Sequence, residues 1–203
     1  MAVDPRPGER VYSEIKQAIL TGDLVILQRL DIDKLASHFG VSATPVRYAL
    51  GILAAERLVK LSPLRVYEVA FWSERELRAL YQWRQQLTKW ALQSYTRDAP
   101  PSVSPERNYA GAYLTLMEHI DRNANAEARR ASRSADERLR QAVRAEPEAL
   151  SGAADELARI AAELNSGSAT LGSRLRRYFE RRISHCARIR STAHAKAMPK
   201  NGD

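Results

Sequence analysis

Two short amphipathic segments that meet at Gly40 constrain the fold of this chain more than any other feature of its sequence. In residues 31–39 apolar side chains recur at helical spacing, and Asp31 stands where a helix N-cap is expected. Residues 42–57 repeat that spacing, with Pro45 in the first turn, where a helix accepts proline. Glycine permits a tight turn between the two that most residues cannot adopt. The pattern predicts a helix, a turn and a second helix.

The segments on either side complete a winged helix-turn-helix. Residues 9–21 predict a preceding helix, and residues 23–30 are expected to be a connector. Residues 58–61 and 65–69 have the branched and aromatic content of short strands, with a turn between them. The order helix, helix, turn, helix and hairpin therefore accounts for residues 1–72.

The rest of the chain predicts an all-helical bundle, so the expected fold class is mainly α. Ser73 and Glu76 form a capping-box pattern that opens a helix reaching about residue 95. Residues 96–105 are rich in proline and serine and interrupt the helical pattern. The further predicted helices share apolar side chains at helical spacing and cover residues 106–122, 127–145, 148–165 and 170–190.

Composition sets the broad class of the protein. The chain has 203 residues, of which 44% are hydrophobic and 28% charged, enough for one medium or two small domains. We expect a winged-helix domain at 1–72, a helical domain at 73–190 and a flexible tail at 191–203. No apolar run is long enough to span a membrane, and a signal-peptide pattern is missing. A single cysteine excludes an internal disulfide. These features favour a cytoplasmic protein.

The positive charge is unevenly distributed. The formal net charge is +8, yet residues 1–72 contribute only +1. Residues 174–203 hold nine basic and two acidic side chains, which accounts for nearly all the excess. Such an excess suggests a polyanionic partner. A solvated arginine-rich helix face accounts for it as well, so the role of the arginine-rich segment 174–190 stays open.

The second helix of a helix-turn-helix enters the DNA major groove with its N-terminal end. The candidate DNA-binding side chains are polar, aromatic or basic and are expected to be exposed: Ser42, Thr44, Arg47, Tyr48, Arg65 and Lys34. Ser42 and Thr44 can donate to phosphates, and Arg47 can reach a phosphate or pair with guanine. Tyr48 suits a sugar or a thymine methyl group.

Each of these candidates also has a structural alternative. The two hydroxyl residues can act as helix caps only, and Arg47 can form a surface ion pair. Tyr48 can pack against the wing or another neighbour. The other two basic residues can be plainly solvated.

The run from Gly40 to Leu50, GVS-x-TPVR-x-AL, resembles the GntR family of bacterial transcription regulators, and the likeness extends over residues 8–70. The resemblance implies operator-specific binding of double-stranded DNA, usually repression that a small effector relieves. One recognition helix reads only a few base pairs, so a homodimer on a pseudo-palindromic operator is expected. The sequence shows no paired-carboxylate cleft, nucleophile elbow or phosphate loop, and we do not expect an enzyme.

The sequence departs from the family pattern inside the recognition helix. Family members usually carry arginine where Ala43 stands and an acidic residue where Tyr48 stands. Gly51 lies within the same helix, at a cost of about 1 kcal/mol relative to alanine. We therefore expect an altered operator or weaker binding. The alternative is a degenerate regulator that acts as a protein-interaction module with weak or non-specific DNA binding.

A helical domain after this winged helix resembles the FadR branch of the family, whose C-terminal domain is of the FCD type. Many members of that branch hold a metal through an Asp-x-x-aromatic-His motif and two later histidines. Asp136 matches the aspartate, but Arg140 stands in place of the histidine, and the later positions also lack histidine in this shortened domain. We therefore expect no metal and no cofactor. Arg140 is a candidate for binding an effector carboxylate directly. Asp136 is a second candidate effector-binding residue, for which a surface position or an ion pair is the alternative.

Overall fold

The computed structural model describes residues 6–62, 66–96, 102–166 and 169–198. The helices in these ranges are α1 (Pro7–Thr21), α2 (Ile32–Phe39), α3 (Ala43–Ala55), α4 (Glu74–Ala91), α5 (Tyr109–Asp121), α6 (Ala126–Ala149), α7 (Ala153–Ser166), α8 (Leu171–Ser184) and α9 (Cys186–Ala197). The strands are β1 (Arg29–Leu30), β2 (Val59–Leu61) and β3 (Tyr67–Val69). The mainly helical fold class is confirmed. Contacts divide the chain between Phe71 and Trp72 into two compact units.

The first unit is a winged helix-turn-helix whose core lies between α1 and α3. The buried face of α3 consists of Val46, Ala49, Leu50 and Leu53, the apolar stripe that helical spacing predicts. α1 contributes Val11, Ile15 and Ile19, which are also buried. Burying these faces against each other removes apolar surface from water, the main favourable contribution to folding. It also fixes which side of α3 stays exposed.

The three strands form one antiparallel sheet in the order β1-β3-β2. The two predicted strands pair antiparallel as β2 and β3, with Val59 opposite Val69. The prediction of a connector over residues 23–30 is wrong at its end, because Arg29 pairs with Glu68 and adds β1 to the sheet. A strand of two residues carries no alternating pattern, so only its pairing with β3 reveals it.

The second unit is a bundle of six helices within the described residues, α4 to α9. The predicted capping box opens α4, with the Ser73 Oγ accepting from the Glu76 N–H and Glu76 Oε2 accepting from the Ser73 N–H. α6 is longer than predicted and includes Pro147 in its last turns. Most backbone bonds of α6 are complete before that point, so the proline is tolerated close to the helix end.

The prediction of one helix over 170–190 is wrong, and the predicted flexible tail is helical from residue 191 to Ala197, while residues 199–203 lie outside the described residues. The chain breaks at His185, whose backbone is not helical, and then continues as α9 to Ala197. The His185 Nδ1 and the Ser184 hydroxyl both lie within hydrogen-bond distance of the Arg181 carbonyl oxygen. Side chains that bond to nearby carbonyl groups compete with the helical ladder. No glycine or proline marks this break, so periodicity alone runs through it.

Candidate nucleic-acid interface and ligand cavity

The turn between α2 and α3 has the geometry that the sequence predicts. Gly40 adopts a left-handed conformation with φ of 63°, and its N–H bonds to carbonyl groups of the last turn of α2. The Asp31 carboxylate caps the other end of α2 by accepting from the N–H groups of Asp33 and Lys34. α2 is thus held at both ends, and the chain turns directly into the exposed N-terminal end of α3.

The first two turns of α3 gather four of the candidate side chains on one exposed face. Ser42, Thr44, Arg47 and Tyr48 are all exposed, while Val46 between them is buried. Thr44 lies three and four positions before Arg47 and Tyr48, so these three side chains are neighbours on the helix surface. The face combines hydroxyl groups, a guanidinium and an amphipathic ring at a positive helix end, a combination suited to phosphates and base edges.

Ser42 occupies the N-cap of α3 but makes no capping hydrogen bond through its side chain. The caps of α2 and α4, Asp31 and Ser73, do make such bonds. The capping alternative for Ser42 therefore finds no support in the geometry. Its hydroxyl is free of that local role and faces solvent at the helix start.

Tyr48 is 56% exposed, yet its ring also lies against α1. A Cβ atom added to Gly8 would come within 2.8 Å of the Tyr48 Cδ1 atom. The neighbour of Tyr48 is thus the first turn of α1. Glycine at position 8 leaves room for the ring, a contact that sequence periodicity does not reveal.

The structure says less about the other two candidates, Lys34 and Arg65. Lys34 is exposed in the first turn of α2, which is consistent with either a phosphate contact or a solvated position. Arg65 lies outside the described residues. The assignment of all six residues to a DNA interface stays a prediction.

In the helical unit, Asp136 belongs to a buried ion network centred on Arg84. Asp136 Oδ1 accepts from the Arg84 Nε at 2.7 Å and from the Tyr113 hydroxyl at 2.8 Å. Arg84 Nη2 also donates to Asp121 Oδ2 at 2.7 Å. Burial raises the pKa of Asp121 to about 6, and the lowering effect of Arg84 opposes it only in part. Asp136 thus has the ion-pairing role that is the alternative to ligand binding.

Arg140 lies one turn beyond Asp136 and lines a cavity of about 480 Å³ between α5 and α6. Its lining residues are mostly charged: Leu114, Glu118, Asp121, Arg122, Arg129, Arg133, Asp136, Glu137 and Arg140. Burial lowers the pKa of the half-buried Arg140. The volume lies within the range of small-molecule sites. Asp136 and Arg140, the two candidate effector residues, thus reach the same cavity.

A second buried network surrounds Glu146 at the centre of the bundle. Its carboxylate accepts from the hydroxyls of Tyr81 at 2.6 Å and Tyr109 at 2.5 Å, and from the Arg182 Nε at 2.9 Å. The Arg182 guanidinium also stacks on the Tyr178 ring at 3.3 Å from its centroid. Burial raises the pKa of these tyrosines, which keeps them protonated as hydrogen-bond donors.

Sequence reasoning missed Arg84 and Arg182 because charged side chains are normally assigned to the surface. A signal was nevertheless present. Arg182 follows Leu175 and Tyr178 on the apolar stripe of α8, and Arg84 follows Leu80 in the same way on α4. A charged residue inside an apolar stripe predicts a buried partner of opposite charge.

Several arginines of segment 174–190 form ion pairs or hydrogen bonds with other residues of the helical unit. Arg174 pairs with Glu163, Arg181 Nη1 with Glu156 Oε2 at 3.2 Å, and the Arg190 Nε donates to the Trp72 carbonyl group. These contacts lower the charge available to an external polyanion. Several carboxylates of the bundle therefore have their counter-ions in this segment.

Neither a metal centre nor a membrane-spanning helix is found in the part of the chain that the structure describes. In those residues no group of three or more His, Cys, Asp and Glu side chains is placed to hold a metal ion. None of the helices described is long and apolar enough to cross a membrane. The expectation that the protein needs no metal stays a prediction.

The comparison with protein families concerns the first unit. Residues 7–65 match the model of the bacterial regulatory proteins of the gntR family. The chain is also 34% identical over 74 residues to the gluconate operon transcriptional repressor of Bacillus licheniformis. That alignment covers 36% of this chain and 30% of the relative, so it spans less than a third of the relative's length.

The comparison with solved structures concerns the fold. A structural-genomics crystal structure from Rhodococcus sp. RHA1, described as a GntR transcriptional regulator, has a TM-score of 0.73 at 19% identity and covers 89% of this chain and 97% of that one. The E. coli protein McbR/YncC has a TM-score of 0.62 at 16% identity and covers 91% of this chain and 98% of its own. At these identities the likeness extends to the architecture of both units.

Proposed function

We propose that this chain, whose residues 7–65 form a GntR-type domain, is a transcription regulator that binds operator DNA through the N-terminal half of α3. The observation that carries the proposal is the exposed face formed by Ser42, Thr44, Arg47 and Tyr48 directly after the Gly40 turn. A major groove about 12 Å wide admits one such helix. Because these side chains lie at the start of α3, they would meet the base edges first. The related gluconate operon protein is a repressor, and we propose repression here as well.

The experiment that tests this function selects bound fragments from the genome of the source organism and footprints the protein on them. We expect protection of two half-sites about 34–36 Å apart, one helical turn centre to centre, related by a pseudo-two-fold axis. The spacing follows from two recognition helices in a symmetric dimer. Protection of a single half-site, or protection without a common sequence, would contradict the proposal.

We assign the dimer contact to α4. Trp83 and Trp90 lie seven residues apart on this helix, 43% and 49% exposed, with their rings in edge-to-face contact at 5.9 Å. Large exposed aromatic side chains are enriched at protein interfaces and costly to leave in water. Replacing both with serine should convert a dimer to a monomer in sedimentation, and an unchanged sedimentation coefficient would exclude this face.

Removing the Ser42 hydroxyl distinguishes a role in DNA binding from a role in helix capping. Ser42→Ala should leave the exchange rates of backbone amides in α2 and α3 unchanged, because no capping bond is lost. It should weaken operator binding several-fold, since one phosphate donor is removed. The matched variant is Asp31→Ala, which loses two capping bonds. At about 1 kcal/mol, that loss should speed amide exchange in α2 roughly five-fold.

Faster exchange in Ser42→Ala would mean that Ser42 has a structural role, whereas unchanged operator affinity would remove it from the interface.

For the helical unit we propose a FadR-type effector domain that works without a metal. A carboxylate-bearing small molecule would bind the guanidinium of Arg140 directly, because Asp136 is already occupied by Arg84. Two-pronged pairing with a carboxylate is a geometry for which arginine is suited. Binding in the cavity would then alter the affinity of the dimer for its operator.

A further inference from the structure

The two walls of the cavity between α5 and α6 carry opposite charges. α5 contributes Glu118 and Asp121, one turn apart on the same face. α6 contributes Arg129, Arg133 and Arg140, which recur at helical spacing along the facing wall. Burial lowers the pKa of Arg140, and nearby carboxylates, first Asp136 and last Glu118 on the facing wall, oppose that effect in part.

The remaining charged lining residues have partners of their own. Asp136 is held by Arg84 and Tyr113. Arg122 and Glu137 each have an interaction within the chain. Toward a ligand, α5 presents Glu118 and the second oxygen of Asp121, whose first oxygen pairs with Arg84, and α6 presents Arg133 and Arg140.

Two polar atoms of the lining residues are buried without any hydrogen-bond partner, the Arg140 Nε and the Asp121 Oδ1. The other Asp121 oxygen accepts from Arg84, and a hydrogen bond from Ser132 also acts on this carboxyl, yet Oδ1 has no partner that meets hydrogen-bond geometry. Buried polar groups in folded proteins are nearly always paired, so an unpaired donor and an unpaired acceptor at one cavity need an explanation. Their needs are opposite: one lacks an acceptor and the other lacks a donor.

We propose that this cavity binds a zwitterionic small molecule, with its carboxylate at Arg140 and Arg133 and its ammonium group at Asp121 and Glu118. A simple anion would satisfy Arg140 and leave the Asp121 oxygen unpaired. A simple amine would do the reverse. A ligand with both charged groups pairs both atoms, and it adds no net charge to a cavity whose lining charges are nearly balanced. That this ligand regulates DNA binding rests on the proposed function, whereas the binding itself does not.

The test is calorimetric titration of the full-length protein with a series of zwitterions of increasing charge separation. The probes are glycine, 4-aminobutyrate and 6-aminohexanoate. Each is compared with the carboxylate and the amine of the same chain length. We expect at least one zwitterion to bind at least ten-fold more tightly than both of its one-charge analogues. If no zwitterion shows this preference, the proposal is overturned.

Variants locate the site. Arg140→Gln should weaken binding of the preferred zwitterion at least ten-fold. Because a half-buried residue can disturb folding when changed, the exposed Arg133→Gln is measured as well, and it should weaken binding by at least three-fold. The matched control is Arg130→Gln, an exposed arginine of the same helix that lies outside the cavity and pairs with Glu127. Equal loss in the control, or no loss in the other two, would place the ligand elsewhere and overturn the proposal.

DNA binding is measured on the same preparations, so the two proposals fail separately. Specific DNA binding without any preference for a zwitterion overturns the cavity assignment alone. Zwitterion binding without DNA binding leaves the cavity assignment intact and contradicts the proposed function as a transcription regulator.

Discussion

Replacing Arg47 with alanine is expected to weaken operator binding by at least about 30-fold without unfolding the protein. Arg47 is exposed in the second turn of α3, between the buried Val46 and the partly packed Tyr48. One good two-pronged contact to guanine is worth about 1–3 kcal/mol, and a dimer loses two of them. Even the lower limit, about 2 kcal/mol in total, corresponds to that factor.

Fluorescence anisotropy measures the affinity of the unchanged protein and of Arg47→Ala for the selected operator, at two salt concentrations. The control is Arg130→Ala, which removes an exposed arginine from α6 in the other unit and should leave affinity unchanged. A base contact would relax the sequence preference at one position of each half-site. A phosphate contact would weaken all duplexes alike and reduce the salt slope by about 1 per contact. Unchanged affinity in Arg47→Ala would exclude this residue from the interface.

Breaking the buried network of the helical unit should produce the largest loss of stability. In Arg182→Met, the buried Glu146 carboxylate loses its counter-ion while remaining inaccessible to water. Removing one partner of a buried ion pair costs about 3–5 kcal/mol. The free energy of unfolding of a domain is about 5–15 kcal/mol, so this loss is a substantial part of it.

Tryptophan fluorescence during urea unfolding measures this loss, because Trp72, Trp83 and Trp90 all belong to the helical unit. The matched control is Arg176→Met, which breaks an exposed pair with Glu180 and should change stability by no more than about 0.5 kcal/mol. Adding Glu146→Gln to Arg182→Met should recover part of the loss, since the unpaired charge disappears. A loss in Arg182→Met no larger than in the control would show that the network is not buried in solution.

Local sequence signals account for the elements that present the candidate interface. Gly40, Asp31 and the capping box at Ser73 each fix a helix end through interactions with nearby residues, so a single sequence contains the necessary information. The exposed face of α3 follows in the same way from the period of its apolar residues. These features needed no knowledge of tertiary contacts.

Features that depend on distant partners could not be predicted in this way. β1 forms through the pairing of Arg29 with Glu68. Asp136 pairs with Arg84, which lies 52 positions away in the sequence. The break at His185 depends on side-chain bonds to one carbonyl group, which periodicity cannot detect. The contact of Tyr48 with Gly8 likewise joins two helices. Local patterns thus determine helix ends and faces, whereas pairing across the fold determines the cavity and the buried charges.

Whether α3 reads a specific DNA sequence is tested most directly by comparing two duplexes at two salt concentrations. Anisotropy titrations would use the DNA upstream of the gene for this protein and a scrambled duplex of the same length and composition. We expect tighter binding to the upstream DNA, with the preference retained at the higher salt, because base contacts depend less on salt than phosphate contacts do. Equal affinity for both duplexes that disappears at higher salt, or no binding at either salt, would contradict it.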